Sequence, residues 1–300
     1  MTDPTQAKQV RLGSGKTARR YFWPPHPPHE FTVTSVTSAI KGGLPTPHLI
    51  GWAAKMAAQC AVDDHDIVAA MLAKDDKAAA INHIKGSRFR DMNKKANRGT
   101  IVHAAVEAYL NGKPMTKKQM QDRLDETNTP KALWQSTAGM IAGVMEFLFD
   151  AEPEVFYGEH ALYNRTHEYA GTADILGRLR VGGAQHNAVI DVKTSKSIYD
   201  EVALQLVAYA RAEFVGLNDG TEAPLIPDLG KTVAKKKLRQ KLIDEGFQYG
   251  IVLRPKANGT YERADFTLTD EVFQMFLACL AVTNAGDNDV LARSRRPNTN

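Results

Sequence analysis

A mixed α/β or α+β chain built around one sheet is predicted by three observations. Apolar residues recur with a period near 3.6 from about residue 47 to 150, the period falls to two from about 154, and helix and strand patterns then alternate to the end. From 131 onward the order reads helix, three strands, helix, two strands, helix. Three hundred residues, 43% hydrophobic and 24% charged, suit one sizeable soluble core with helical additions.

Residues 1–30 end in "FWPPHPPHEF", which cannot pack as helix or central strand and reads as a flexible, basic, proline-rich arm, with His26 and His29 solvated. "EFTVTSVTSAI" alternates like a short strand, and "GGLPTP" breaks it. Helical patterns come next in "HLIGWAAKMAAQCA", "DHDIVAAMLA", "DDKAAAINHIKGSRFRDMNKKANRG", "TIVHAAVEAYL" and "KALWQSTAGMIAGVMEFLFDA". The strands are "EVFYGEHALYN", "EYAGTADILGRLRV" and "NAVIDVKTS", the last two joined through Gly182 and Gly183. "EVALQLVAYARAEFVG" returns to helix with Gly216 as its cap. A polar segment, 218–246, precedes the strands "FQYGIVLRP" and "YERADFTL" and the helix "TDEVFQMFLACLAVTNAG". The expected division is an arm (1–30), one domain (31–285) with a mainly helical part to 150 and a sheet core from 151, and a frayed tail (286–300).

Several functional classes are disfavoured at once. The start lacks a signal-peptide profile and no run approaches about eighteen apolar residues, so a cytoplasmic protein without membrane contact is expected. Cys60 and Cys279 sit in apolar helical stretches and read as reduced core residues, too few for a four-thiolate cluster or zinc site. "GSGKT" at 13–17 imitates a phosphate loop, but Val10 stands where that pattern needs glycine and no apolar strand precedes it, so ATP is not expected. A formal charge of +4 favours a polyanionic partner without requiring one.

Chemistry concentrates in "NAVIDVKTSKSIYDE". A hairpin turning at Gly182-Gly183 sets Asp174 opposite Asp191, their Cβ atoms roughly 4.5–5.5 Å apart, and Lys193 projects from the same face. Two such charges about 4 Å apart repel by roughly 4 kcal/mol at an effective dielectric of 20. Protonating one acid, bridging with the lysine, or binding a hard cation such as Mg²⁺ or Mn²⁺ would offset that cost. The same acid-x-lysine pattern at Asp75-Asp76-Lys77 falls in a polar helical run and reads as a solvated face. His103 and Glu107 share one helical face, as do Gln205 and Tyr209.

In this order, Gly99, His103 and Glu107, then "GTAD" ending in Asp174, "DVK" from Asp191 to Lys193, and Gln205 with Tyr209 resemble the successive motifs of RecB-like nucleases of the PD-(D/E)xK superfamily. The stand-alone bacteriophage exonuclease branch, related to CRISPR-associated adaptation nucleases, is the most similar. The resemblance covers about 98–215 strongly and 31–60 weakly. It implies a restriction-endonuclease-like αβββαβ core with a mixed central sheet beneath an N-terminal helical lobe, and a metal-dependent DNA exonuclease of phage recombination, replication or repair.

Carried over residue by residue, it makes His103, Asp174, Asp191 and the Val192 carbonyl ligands of Mg²⁺ or Mn²⁺. Lys193 orients the attacking water, and Gln205 and Tyr209 position the lysine or the strand. Glu107 and Glu159 become candidates for outer-shell water or a second metal. The four cysteines of the iron–sulfur members are missing, so no such cluster is expected, and no helicase motif accompanies the nuclease. The basic run before His103 offers Lys85, Arg88, Arg90, Lys94, Lys95 and Arg98 to DNA phosphates, with Lys196 near the motif lysine. The implied partner is linear DNA, single- or double-stranded, with a single-strand annealing or replication protein as a further candidate. An endonuclease or flap nuclease on the same core is the alternative, and a non-catalytic DNA-binding recombination protein is the alternative of another class.

Overall fold

The computed structural model describes residues 7–12, 17–23, 31–45, 47–217 and 219–294. It begins with β1 (Lys8–Arg11), β2 (Thr17–Trp23) and β3 (Phe31–Ser35), then α1 (Val36–Gly43), α2 (Pro47–Asp63), α3 (His65–Ala73), α4 (Lys77–Leu110) and α5 (Lys117–Glu126). A 3-10 turn (Lys131–Leu133) leads into α6 (Trp134–Ala151), β4 (Glu154–Asn164), β5 (Tyr169–Val181), β6 (Ala184–Val192) and α7 (Val202–Ala210). The remainder is β7 (Phe214–Gly216), β8 (Glu222–Ala223), α8 (Val233–Glu245), β9 (Tyr249–Pro255), β10 (Tyr261–Thr267), α9 (Asp270–Asp287) and α10 (Val290–Arg293).

The ten strands among the described residues form one mixed sheet. The β5–β6 turn uses two residues, Gly182 at φ 57° and Gly183 at φ 88°, the left-handed pair that a tight hairpin favours. It sets Ile175 opposite Ile190 and Val181 opposite Ala184, the register expected from the sequence. Strand β5 runs antiparallel to β4 along one edge. Its other edge is shared: β3 pairs in parallel at Tyr169 and Ala170, and β6 pairs from Ile175 onward. Between those partners, residues 171–174 face a gap in the ladder, and the candidate site opens there.

Helices cover both faces, as a sheet apolar on both sides requires. On one face Val36 of α1, Leu206 and Tyr209 of α7 and Phe276 of α9 pack with Tyr169 and Leu176. On the other, Val102 and Val106 of α4 and Val144 and Phe147 of α6 pack with Ile175, Ile190 and Leu253. The mixed α/β class with a helical lobe is what the alternating periods predict.

Several local expectations need correction. The segment read as a flexible arm contains β1 and β2. Tyr21 and Trp23 of β2 pack edge-on against Tyr163, and Trp23 also packs on Phe214, which outweighs the prolines after it. His26, His29 and Gly13–Lys16 of "GSGKT" lie outside the described residues, while Thr17 opens β2. The two helical patterns between 77 and 110 are one helix, capped where the Asp76 carboxylate accepts from the Ala79 amide at 2.9 Å. Helix α7 stops at Ala210, so Gly216 caps no helix; Phe214–Gly216 instead pairs with Ala161–Tyr163 of β4 and buries Phe214 and Val215. The polar segment holds β8 and α8. The expected tail is helical through α9 and α10 to Arg293, and residues 295–300 lie outside the described residues. No helix among the described residues is long and apolar enough to cross a membrane.

Candidate active site

At the gap beside β5, four elements bring their polar side chains into one cleft of about 570 Å³. Strand β5 supplies Asp174, β6 supplies Asp191 with Lys193 just beyond its end, α4 supplies His103, and β4 supplies Glu159. The buried apolar stripe of α4, Val102 and Val106, fixes its rotation and turns His103 toward the strands. Both aspartates are buried, at 7% and 2% exposure.

His103 Nδ1 lies 3.2 Å from Glu159 Oε1 and 3.2 Å from Asp174 Oδ1. The other oxygen of Asp174 accepts the Val192 amide at 2.6 Å, which locks the carboxylate to the end of β6. A second chain runs beside the first. Lys193 Nζ lies 2.7 Å from Asp191 Oδ2 and donates to Gln205 Oε1 at 3.0 Å. The Gln205 amide nitrogen donates to Asp191 Oδ1 at 2.9 Å and to the Tyr209 hydroxyl at 3.1 Å. The i, i+4 spacing on α7 thus sets Gln205 against the motif lysine and acid and Tyr209 behind Gln205.

The electrostatics separate the carboxylates. Burial works against ionising Asp174, but His103, Lys193 and the Val192 amide together hold it below the usual carboxylate range. Burial pushes Asp191 up, and the charge of Asp174 adds to it beyond what Lys193 offsets. Burial likewise raises Glu159, with Asp174 adding to the effect against His103. The Asp174 charge, joined by Glu159, lifts His103 well above an ordinary imidazole in spite of its burial.

Glu159 has a further feature. Its φ is 53°, left-handed backbone in mid-strand for a residue with a Cβ, and the β4–β5 ladder skips the Glu159–Asp174 position. Such a conformation costs about 1–2 kcal/mol and is found where function over-determines the backbone. Glu159→Gly should therefore raise thermal stability in chelator by up to about 1 kcal/mol while weakening divalent-cation binding. Glu159→Ala, which keeps the strained φ, should show the loss without the gain. Parallel melts and cation titrations check this, and equal melting of the two variants would contradict it.

A hard divalent cation fits this donor set. Asp191 Oδ2 is buried and has Lys193 as an ion-pair neighbour but no aligned hydrogen bond, which leaves it acceptor capacity. Carboxylates with a single imidazole suit Mg²⁺ or, with the nitrogen, Mn²⁺. His103, Glu159 and Asp174 already have ligand atoms within 4.8 Å of one another.

The other sequence candidates divide. Glu107 is exposed and lines the cleft one turn beyond His103. Lys196 is exposed past the motif, and Arg88 lies over the Phe89 ring at 4.5 Å. Arg98 is turned inward, its Nη2 3.2 Å from Met140 Sδ, and burial lowers its pKa. Arg90 is engaged by the His83 carbonyl and by Cys60. The side chains of Lys94 and Lys95 lie outside the described residues. Sequence reasoning missed Arg19 of β2 and Arg123 of α5, both of which line the cleft. Only tertiary packing brings them there.

No protein-family model matches the chain, and no curated protein matches it. Among solved structures it is similar to an alkaline exonuclease (LHK-Exo) from Laribacter hongkongensis, at 11% identity over 64% of this chain and 82% of that one, with a TM-score of 0.25. The same exonuclease in complex with dAMP gives 12% identity over 67% and 91% of the two chains, again with a TM-score of 0.25. A likeness this slight says nothing of this chain's chemistry.

Proposed function

We propose that the chain is a divalent-metal-dependent nuclease that hydrolyses phosphodiester bonds in DNA, acting as an exonuclease. The observation that carries this reading is the convergence of Asp174, Asp191, Glu159 and His103 on one cleft, with Lys193 held at its edge by Asp191 and Gln205. A protein that only bound DNA would gain nothing from gathering three carboxylates beside a phosphate path, since they repel the polyanion.

Asp174, Asp191, Glu159 and His103 would hold Mg²⁺ or Mn²⁺, with the Val192 carbonyl as a further ligand. When bound, the ion lowers the pKa of the attacking water and neutralises charge on the phosphoryl group. Lys193, one-third exposed and fixed by its ion pair with Asp191 and its hydrogen bond to Gln205, has an N–H left to orient that water in line with the leaving oxygen. Gln205 holds the lysine, and the buried Tyr209 hydroxyl holds Gln205 in turn. Arg19 and Arg123 supply positive charge to neighbouring phosphates. Water adds to phosphorus, the bond to the 3′ oxygen breaks, and that oxygen takes a proton; the products are a 5′-phosphate and a 3′-hydroxyl.

Matched linear and covalently closed circular DNA test the reading. With Mg²⁺ or Mn²⁺ the wild type should release nucleotides from the linear form and leave circles intact. Cut circles would move the assignment to an endonuclease on the same core, and inertness toward both would refute DNA hydrolysis.

A further inference from the structure

The helical lobe from Pro47 to Arg98 has almost no core of its own. Of its described residues only Cys60 and Ala80 are buried, whereas Leu49, Ile50, Val62, Ile67 and Phe89 are exposed. Apolar burial stabilises at about 25 cal/mol per Å², and units too small to bury much surface are commonly tied by disulfides or metals. The buried point of this lobe is chemically specific. Cys60 near the end of α2, Asp64 between α2 and α3, and His83 on α4 present ligand atoms within 4.8 Å of one another. Cys60 Sγ lies 3.4 Å from Asp64 Oδ2, and His83 Nε2 lies 2.7 Å from the same oxygen.

Asp64 is a second, independent sign. It stands at the N-cap of α3, where an aspartate ordinarily accepts a helix amide, yet its side chain makes no capping bond. The carboxylate is turned to His83 and Cys60 instead. Helix α3 forgoes the roughly 1 kcal/mol that a cap contributes, so the cluster holds this carboxylate against a local preference.

We infer that Cys60, Asp64 and His83 form a Zn²⁺ site joining α2 to α4, with water as the fourth ligand. One thiolate, one imidazole and one carboxylate suit borderline-soft zinc, whereas sulfur and nitrogen disfavour Mg²⁺ and Ca²⁺. On a tetrahedral zinc with ordinary bond lengths, sulfur and oxygen ligands lie about 3.5 Å apart and nitrogen and oxygen about 3.3 Å. The sulfur–oxygen spacing already matches, and the nitrogen–oxygen pair opens by about half an ångström. Binding displaces the Cys60 thiol proton and the proton shared by His83 and Asp64. Thiolate and carboxylate then balance the ion's charge, so Arg90, its Nη2 3.3 Å from Sγ and 3.8 Å from Asp64 Oδ2, faces no net positive centre and donates to the sulfur.

The site is independent of the proposed nuclease centre. His83 and His103 are separated along α4 by roughly 30 Å at 1.5 Å per residue. Zinc here would fix the far end of the helix whose near end carries His103.

Full-length protein freed of metal with a chelator and titrated with Co²⁺ tests the inference. A thiolate-to-cobalt charge-transfer band is expected, displaced by one equivalent of Zn²⁺, lost in Cys60→Ser, weakened in His83→Gln and kept in Cys279→Ser. Zn²⁺ should raise the melting temperature of the wild type and of Cys279→Ser by more than that of Cys60→Ser, which keeps only the cluster around His103. Absence of the band in the wild type at saturating Co²⁺, or its persistence in Cys60→Ser, would overturn the site and leave Asp64 as the hub of a metal-free hydrogen-bonded corner. The wild-type titration decides this even if a variant fails to fold.

Discussion

Asp191→Asn is expected to lower DNA hydrolysis by at least about a thousandfold, in line with losing a group that stabilises transition-state charge, while leaving the fold intact. The asparagine oxygen can still accept from Gln205, which now donates to Asp191 Oδ1 at 2.9 Å. What disappears is one negative charge that burial already disfavours, so the melting temperature should stay level or rise. Lys193, one-third exposed, can return to water when its partner is neutral. Activity assays and thermal melts on the same preparation separate the two effects. A variant that melts as the wild type does and cuts as fast would remove Asp191 from the chemistry.

The largest effect on stability is expected at Gly139. A Cβ there would fall 1.9 Å from the Ala257 carbonyl oxygen, and at Gly143, one turn along the same face of α6, a Cβ would fall 2.4 Å from the Thr260 carbonyl oxygen. These atoms belong to backbone of the β9–β10 connection, which a rotamer change cannot clear. Gly139→Ala should cost about 3 kcal/mol, at the upper end of overpacking, despite alanine's better helix propensity of about 1 kcal/mol. Chemical denaturation would measure it, and a stabilised Gly139→Ala would show that α6 packs more loosely on the β9–β10 connection than described.

Much of this was legible because it depends on local spacing. Two glycines in a two-residue turn set the β5–β6 register, and with it the meeting of Asp174 and Asp191. The four-residue spacing of Gln205 and Tyr209 places both on one face of α7, and the apolar stripe of α4 orients His103. Residues whose roles depend on distant chain were not legible in the same way. Glu159 was a candidate only through the family resemblance, and it joins His103 and Asp174 through a left-handed backbone that nothing in "FYGEHAL" announces. Arg19 enters the cleft because β2 joins the sheet, driven by aromatic contacts with Tyr163 and Phe214 that lie far along the chain. Charge alone also misleads. Arg90 and Arg98 sit in a basic run that reads as a phosphate path, yet both are engaged by the protein's own groups.

Mn²⁺ titrated into chelator-treated wild type and Asp174→Asn, with binding by calorimetry and hydrolysis of linear DNA followed over the same concentrations, tests the central claim most directly. The cluster of His103, Glu159, Asp174 and Asp191 predicts wild-type hydrolysis that rises with occupancy of the binding site and vanishes in chelator, with both binding and hydrolysis lost in Asp174→Asn. Hydrolysis that persists in chelator, or Mn²⁺ binding and cutting unchanged by Asp174→Asn, would contradict it.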